Sequence, residues 1–578
     1  MQLTRPSLRA EPAPQRISAL GFVREGRIVF AVCLAAYLAT AVALVFRGNV
    51  VLGDALARVE NVDRVLFSRD PHLAALGFNY PPFPQLLYLP FVPLKYLWPP
   101  FVQSGFVGNA FSAFFMAGAA VQVLKLFEEA GLRRPTRLVL VATFAVQPMI
   151  LYSAGNGMTE ACALFFLLVA VRHFNIWLRS SDLKAQVITG AALGCAFLTR
   201  YELAFAGAGV VALAALVTFR HERGQHRLSA AASDAVIFGA PLFLCTTGWL
   251  TANWAITGSP FAEVSNAYGT AQLLHSSGFP PSGLALTGLV AITAMEPLLP
   301  LLLLIGAILV ATHRDVRVAS VMATLGPVLL FMYWAFSTKH VLPSLRYMVV
   351  AVPLATLLCG LLLAPPEVAQ ARLGTIERTA TILWLPTRRR FGGRLRRRRP
   401  ARALASLLLP GFITLGLLAA IPTTAAAMWT EGRDNGLLSV FQLRDAFNRE
   451  GTAALTWNPA VVPLQSDRAV ATYLDALDLP RGSLLVDDFA GFAIFADSNR
   501  PEQFVIASDR DFQAALADPL GAGIEYILVP RPVDVFALEA VNRTYPDFYQ
   551  SGGGIAHLVK KFSDIDGPSW RLYRVDGS

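Results

Sequence analysis

The sequence predicts a polytopic α-helical membrane protein with a smaller α/β domain at its carboxyl end. The 578-residue chain is 54% hydrophobic and 15% charged, with a mean hydropathy of +0.50. A soluble domain carries about 25% charged residues, so this composition is typical of a protein that crosses a membrane repeatedly. After residue 428 the long apolar runs give way to polar sequence with short strand patterns. These two parts predict the fold class.

Eleven apolar runs are long enough to cross a bilayer. They cover residues 28–46, 104–124, 138–153, 158–178, 186–199, 203–219, 231–254, 288–311, 316–336, 343–363 and 403–427. A twelfth apolar stretch, 82–98, contains four prolines. Because proline removes helical hydrogen bonds, a helix that spans the membrane is not expected there.

The distribution of basic residues predicts the orientation of the spans. If 82–98 does not cross, the basic loops and the arginine-rich amino terminus all face the cytoplasm, as basic loops usually do. If it crosses, every later basic loop faces outward. We therefore predict eleven spans in the cell membrane, with 82–98 lying at the outer interface or dipping partway into the membrane. Nine arginines between Arg388 and Arg402 have no acid among them. Beside apolar spans, such a run indicates a loop facing anionic lipid rather than a nucleic-acid site.

These assignments divide the chain into three parts. Residues 1–27 form a cytoplasmic tail, and 28–427 form the membrane domain, with an outer loop over 47–103 and a basic cytoplasmic loop over 364–402. Residues 428–578 form an extracytoplasmic α/β domain. Its pattern predicts a helix over 466–477 and strands near 484–486, 503–506, 526–530 and 570–575. Asp487 and Asp488 follow the first strand and are predicted to cap or turn the chain.

The five cysteines all lie in apolar runs, and no CxxC pair or Cys/His cluster occurs. The sequence therefore supports neither a disulfide framework nor a zinc site.

A polar segment interrupts the apolar sequence just after the first span. Within residues 53–64 it carries three carboxylates, Asp54, Glu60 and Asp63. Drawn as a helix, it places Glu60 and Asp63 on one face, with Asp54 about two turns earlier. The predicted topology brings further polar residues to the same outer face: Tyr80, Glu160, Arg200, Glu202, Lys339, His340, Arg346 and Tyr347.

This set of residues has the parts needed for sugar transfer from a lipid phosphate. A carboxylate can deprotonate the acceptor hydroxyl. Cations can hold the donor phosphate and stabilise it as it leaves. The aromatic and proline-rich segment 78–83 can supply an apolar groove for the lipid tail.

Each candidate also has a structural alternative. The three acids can form the solvated face of an interfacial helix, and His340 can be an ordinary loop residue. Arg200 can pair with Glu202 as a cap between two short helices, and Arg346 can snorkel at a helix end. Glu160 and Glu296 lie near or inside spans, where an acid is either functional or bonded to a backbone group at the interface.

Four motifs in order carry a family resemblance. They are Gly53-Asp54 after the first span, the segment 79–88 (NYPPFPQLLY), the segment 194–200 (GCAFLTR), and Leu345-Arg346-Tyr347 before Pro353. Over roughly residues 28–363 this order resembles the GT-C superfamily of membrane glycosyltransferases. The most similar branch holds the protein O-mannosyltransferases and the lipid A aminoarabinose transferase.

The resemblance implies roles for particular residues. Asp54 takes the place of the catalytic base, and Arg200 and Arg346 take the places of ligands to the phosphate of a polyprenyl-phosphate sugar. Lys339 and His340 are further cations for that phosphate. Ala55 stands where the family has its second acid, so Glu60 or Asp63 would have to supply one. Tyr80 stands where His or Asp is common, which leaves the acceptor type and a divalent cation open.

The sequence thus predicts an inverting glycosyltransferase that moves a pentose or hexose from a polyprenyl-phosphate donor to a glycan, lipid or protein acceptor outside the cytoplasmic membrane. No nucleic-acid partner and no metal ligand set are predicted. The carboxyl-terminal domain is expected to cover the outer site or to select the acceptor. A transporter or flippase of a lipid-linked sugar is the main alternative, and a scaffold that presents the outer domain is another.

Overall fold

The computed structural model describes residues 19–222, 224–261, 284–313, 315–338, 340–341, 344–364, 411–428, 464–562 and 569–577. Most of the predicted tail 1–27, nearly all of the basic loop 364–402, and Lys339 lie outside these ranges. The predictions made for them therefore stay predictions.

Helices build the membrane domain. In chain order they are α1 Ala19–Val42, α2 Gly53–Phe67, α3 Phe83–Tyr88, α4 Pro100–Gln103, α5 Phe106–Glu129, α6 Arg134–Val146, α7 Pro148–Gly155, α8 Glu160–Ser180, α9 Leu183–Phe197, α10 Ala204–His221, α11 Arg227–Thr257, α12 Leu284–Met295, α13 Leu299–His313, α14 Val316–Ser337, α15 Ala351–Leu363 and α16 Gly411–Met428.

Within the described ranges, eight helical segments are long and apolar enough to cross a membrane, and they contain α1, α5, α8, α10, α11, α14, α15 and α16. Two further pairs of helices are long and apolar enough to cross a membrane only when each pair is taken together. They are α6 with α7, which are bent by 61°, and α12 with α13, which are bent by 85°. The helix α9, with 15 residues, is shorter than a full span. The multi-pass helical fold is therefore confirmed. The predicted number of eleven is not, because the structure supports eight spans, or ten if each bent pair is one span.

Local sequence explains where several of these helices begin. Pro148 occupies the first turn of α7, and the Gln147 side chain accepts a hydrogen bond from the Ile150 amide at 3.1 Å. Proline favours the first helical turn and cannot continue the preceding helix, so α6 stops and α7 starts at an angle. Asp182 and Asp315 cap α9 and α14 in the same way, by accepting backbone amide hydrogen bonds.

The long loop between α1 and α5 is folded rather than extended. It contains α2, the short helices α3 and α4, and 3-10 turns at Leu73–Leu76 and Val92–Tyr96. The proline-rich stretch 82–98 is therefore broken into short helical pieces, and none of them is long enough to span. Tyr96 and Leu97 in this stretch are 70% and 84% exposed.

The carboxyl-terminal domain is a five-stranded sheet in the order β2-β1-β3-β5-β4. The strands are β1 Leu484–Leu485, β2 Phe504–Val505, β3 Tyr526–Pro530, β4 Ala556–Lys561 and β5 Trp570–Val575. The first three are parallel, and β5 pairs antiparallel with β3 and β4. Five helices accompany them: α17 Leu464–Ala476, α18 Asp488–Asp497, α19 Phe512–Ala517, α20 Ala540–Thr544 and α21 Phe548–Ser551.

The α/β character of this domain and its four predicted strands are confirmed. The edge strand β4 was not predicted, because five of its six residues are exposed and a bulge at Leu558/Lys560 breaks the alternation. Asp487 caps α18 by accepting a hydrogen bond from the Phe489 amide at 2.9 Å, which confirms its predicted capping role.

The carboxyl-terminal domain packs against α2. Ala493 on α18 is buried in a cluster with Leu56 of α2 and Phe106 of α5. Arg64, in the last turn of α2, forms an ion pair with Asp488 at the start of α18. The domain therefore lies at the end of the bundle that carries Asp54.

Candidate active site

Asp54 is the second residue of α2, where the positive end of the helix dipole favours a carboxylate. Its Oδ1 accepts a hydrogen bond from the Tyr80 hydroxyl at 3.2 Å, and its Oδ2 lies 3.4 Å from Nη2 of Arg346. The side chain keeps 43% of its surface exposed, so a substrate can reach it. Burial alone would raise the pKa of Asp54, but Arg346, Arg58 and the Tyr80 hydrogen bond lower it below its usual value. Asp54 is therefore ionised at neutral pH.

Arg58 lies one helical turn after Asp54 and is buried. Its Nη1 donates to the backbone carbonyl of Asp54 at 2.7 Å, and its guanidinium stacks 4.2 Å from the centre of the Tyr80 ring. Its Nε has no hydrogen-bond partner, and Arg58 forms no ion pair with a described carboxylate. Arg58 is not among the site residues predicted from the sequence, although its spacing of four from Asp54 places it on the same helix face.

Arg346 enters the site from the turn Leu345–Met348, just before α15. Its Nη2 donates to the Tyr347 hydroxyl at 3.1 Å, and its guanidinium lies 5.0 Å from the Tyr347 ring centre. Arg200 lies 5.6 Å from the same ring. The Tyr347 ring thus contacts two guanidinium groups that come from distant parts of the sequence.

Arg200 is held by two acids. Its Nη1 donates to Glu160 Oε1 at 2.8 Å, and its Nε donates to Glu202. Glu160 begins α8 and is only 2% exposed, so its carboxylate needs a cationic partner. The structural alternative for Arg200, a pairing with Glu202, is therefore present in the structure. This pairing still leaves the Arg200 guanidinium facing the Tyr347 ring.

The other two acids of α2 lie elsewhere. Glu60 is fully buried against Arg64 Nε at 2.9 Å, and burial raises its pKa to about 8. Asp63 accepts two hydrogen bonds from Lys95 Nζ, at 2.7 and 2.9 Å, and burial raises its pKa above the usual value despite this partner. The structure does not bring either carboxylate to Asp54, because Glu60 and Asp63 face different neighbours along the helix.

His340 does not join the site among the described contacts. It is exposed, its Nδ1 lies 2.9 Å from the Thr338 hydroxyl, and its ring stacks on Trp334. Glu296 is buried at the break between α12 and α13. The structure shows no contact between Asp54 and either His340 or Glu296 among the described residues.

A small cavity of about 10 Å³ lies beside Arg58. Apolar side chains dominate its lining, from Pro84, Leu87 and Tyr88 of α3, Phe111 and Phe115 of α5, and Cys162 of α8, with Ser112 and Thr159 among them. Met158 also lines the cavity, and its sulfur lies 3.7 Å from Nη1 of Arg58.

Among the described residues, no group of three or more His, Cys, Asp or Glu side chains could hold a metal ion. The charged centre instead combines three guanidinium groups, from Arg58, Arg200 and Arg346, with the accessible carboxylate of Asp54. Such an arrangement can bind an anion and accept a proton beside it.

A comparison with solved structures gives the crystal structure of ArnT from Cupriavidus metallidurans in the apo state, at 14% identity and a TM-score of 0.49. The alignment covers 96% of this chain and 98% of that one. No curated protein is significantly similar in sequence.

A family model matches part of the chain directly. Residues 80–243 match the model for dolichyl-phosphate-mannose-protein mannosyltransferases. This range contains Tyr80, Glu160, Arg200 and Glu202, while Asp54 and Arg346 lie outside it. The match over this range confirms the resemblance of the membrane domain to the GT-C glycosyltransferases.

Proposed function

We propose that this protein is an inverting glycosyltransferase that takes a sugar from a polyprenyl-phosphate donor at the outer face of the cytoplasmic membrane. The acceptor is a hydroxyl of a glycan, lipid or protein on that side. In a single displacement the acceptor oxygen bonds to the sugar carbon, the bond from that carbon to the phosphate oxygen breaks, and the proton of the hydroxyl passes to Asp54.

The observation that carries this proposal is the environment of Asp54. It is a partly exposed, ionised carboxylate within 3.4 Å of a guanidinium. A general base must reach the hydroxyl from which it takes a proton, and a phosphate leaving group needs cations close by. Asp54 and Arg346 meet both requirements at one place.

Arg58 fits the role of a donor phosphate ligand best. Arg58 is buried, and although its charge lowers the pKa of Asp54, it forms no direct ion pair with a described carboxylate, so an anion that contacts it would be stabilised. A phosphate placed between Arg58 and Arg346 would supply such an anion, and both guanidinium groups can bind phosphate oxygens with two parallel hydrogen bonds. Arg200 stabilises the same region through Tyr347.

Donor binding would also prepare the base. In the free protein Arg346 and Arg58 lower the pKa of Asp54. A bound phosphate neutralises part of their charge, so the pKa of Asp54 rises toward the range in which a carboxylate is an effective proton acceptor.

Replacement of Asp54 by asparagine tests the assignment. Asp54→Asn keeps the size of the side chain and removes the base, so transfer should fall by about 10²–10⁴-fold while donor binding persists. Transfer is measured with purified protein, labelled polyprenyl-phosphate mannose or arabinose, and membranes that supply acceptors. Glu60→Gln, in the same helix, is the matched control and should retain transfer. Full activity of Asp54→Asn would show that Asp54 is not the base.

A further inference from the structure

A polar cavity lies between the membrane domain and the carboxyl-terminal domain, outside the site described above. It has a volume of about 320 Å³ and is lined by Arg69, Asp70, Arg481, Arg510 and Asp511. Ligand pockets commonly have volumes of about 300–1,000 Å³ and form at domain interfaces. The first two residues follow α2, and the other three belong to the carboxyl-terminal domain.

Some of these charged groups hold the two domains together. Arg69 pairs with Asp511 and donates from both Nε and Nη2 to Asp509, at 3.2 and 3.0 Å. Asp70 accepts a hydrogen bond from the Arg510 amide at 3.3 Å. The carboxylates around the cavity are therefore largely engaged in contacts between the domains.

Two arginines keep donors available. Arg481 donates to the backbone carbonyl of Arg69 and forms no ion pair with a described carboxylate. Arg510 is 72% exposed, and its only described ion pair, with Asp70, spans 3.4 Å. Two guanidinium groups with unused donors beside engaged acids favour a ligand that brings its own negative charge.

Gly482 allows this arrangement. Its φ of +71° is a conformation that other residues rarely adopt, and a Cβ there would lie 2.9 Å from Cδ of Arg69. The absent side chain lets Arg69 cross directly over the chain next to Arg481. The local sequence Arg481-Gly482 thus builds the cavity wall.

The position of the cavity suggests what it binds. Asp54 lies at the start of α2 and Arg69 just beyond its end, so a rise of 1.5 Å per residue separates them by about 20 Å. We propose that this cleft binds an anionic group, a phosphate or a carboxylate, of an extended acceptor whose reacting hydroxyl lies at Asp54. This inference rests on the proposed glycosyl transfer and names the acceptor class: an acidic polymer rather than a small hydroxyl compound.

Binding of defined probes to the full-length protein tests the cleft without turnover. The probes are an acidic hexasaccharide (hexagalacturonate), a neutral hexasaccharide of the same length (maltohexaose) and inorganic phosphate. We expect the acidic hexasaccharide to bind, the neutral one not to bind, and phosphate to compete. Arg481→Ala with Arg510→Ala should weaken binding at least tenfold, since each replacement removes a charged donor.

Three controls make the result specific. Lys561→Ala removes an exposed charge from β4 and should leave binding unchanged. Arg510→Ala alone leaves the contacts of Arg69 intact, so a loss of binding in that folded variant is not due to domain separation. Asp54→Asn should bind the probe normally.

The outcomes separate this inference from the proposed function. Equal binding of the two hexasaccharides, or no effect of the double replacement, would overturn the anion site even if Asp54 proves essential for transfer. Binding of phosphate without the acidic hexasaccharide would overturn the extended acceptor. Unchanged transfer by Asp54→Asn would overturn the proposed function while leaving the anion site standing.

Discussion

At the scale of single residues, α2 shows how position decides the chemistry of identical groups. Asp54 is exposed beside two guanidinium groups, which hold its pKa below the usual value. Glu60, less than two turns later, is fully buried, and its pKa is raised to about 8. At neutral pH the first carboxyl group is ionised and the second carries a proton. Only the first is therefore suited to accept a proton from a substrate.

The raised pKa of Glu60 predicts a pH-dependent stability. Between the usual pKa of 4.5 and about 8, the folded protein binds a proton that the unfolded chain does not. This contribution is fully present below pH 4.5 and is lost as the pH rises through 8. We expect the free energy of unfolding from this group to fall by on the order of 3 kcal/mol from pH 5 to pH 8.

Glu60→Gln isolates that contribution, because glutamine stays neutral at every pH. Unfolding temperatures of the variant and the natural protein are measured in detergent. As the pH rises, the unfolding temperature of the variant should increase relative to that of the natural protein. Glu502→Gln removes an exposed carboxylate and should show no such trend. A constant difference across pH 5–8 for Glu60→Gln would contradict the assigned protonation state.

The sequence gives Asp54, Arg346 and Arg200 as candidates, but it does not give their partners. The order of the motifs suffices to propose the base and two cations. Arg58 is not predicted as a site residue because an arginine in an amphipathic helix usually faces solvent. Only the packing of α2 against Tyr80 and Met158 buries it. Glu60 and Asp63 look equivalent to Asp54 in the sequence, and burial alone distinguishes them.

At the scale of elements, each of the eleven apolar runs overlaps a helix within the part of the chain that the structure describes, since hydrophobicity over a long window is a strong signal. A hydropathy window does not detect the bends between α6 and α7 and between α12 and α13. Pro148 and Pro297 are visible in the sequence, each after one polar residue, but the apolar runs on both sides keep the mean hydropathy of the window high. Whether such a pair crosses as one broken span depends on its neighbours in the bundle, which hydropathy does not describe.

Close packing between α10 and α14 gives a prediction for one glycine. A Cβ on Gly209 would lie 1.8 Å from the Ala323 carbonyl oxygen, so Gly209→Ala forces the helices apart. Overpacking of this kind destabilises by about 1–3 kcal/mol. Gly248→Ala is the matched control, since nothing lies within 4 Å of its added Cβ. Thermal unfolding of the purified variants should lower the midpoint for Gly209→Ala alone, and equal midpoints would contradict the tight crossing.

At the scale of the whole molecule, α2 is the element shared by the membrane domain, the candidate active site and the carboxyl-terminal domain. Arg64 in its last turn faces Asp488 of α18 on one side and Glu60 on the other. Because Glu60 is protonated at neutral pH, the contact with Asp488 is the ion pair that holds the Arg64 guanidinium. The position of Asp54 therefore depends on a contact between the two domains.

Asp488→Asn tests this dependence. The Arg64 and Asp488 side chains are 12% and 5% exposed, and removal of one member of a buried pair destabilises by about 3–5 kcal/mol. Hydrogen exchange should accelerate in α18 and in α2 together. Asp576→Asn, which removes an exposed pair with His557, should change neither helix, because such pairs contribute at most about 1 kcal/mol. Faster exchange in α18 with an unchanged α2 would mean that the bundle alone positions Asp54.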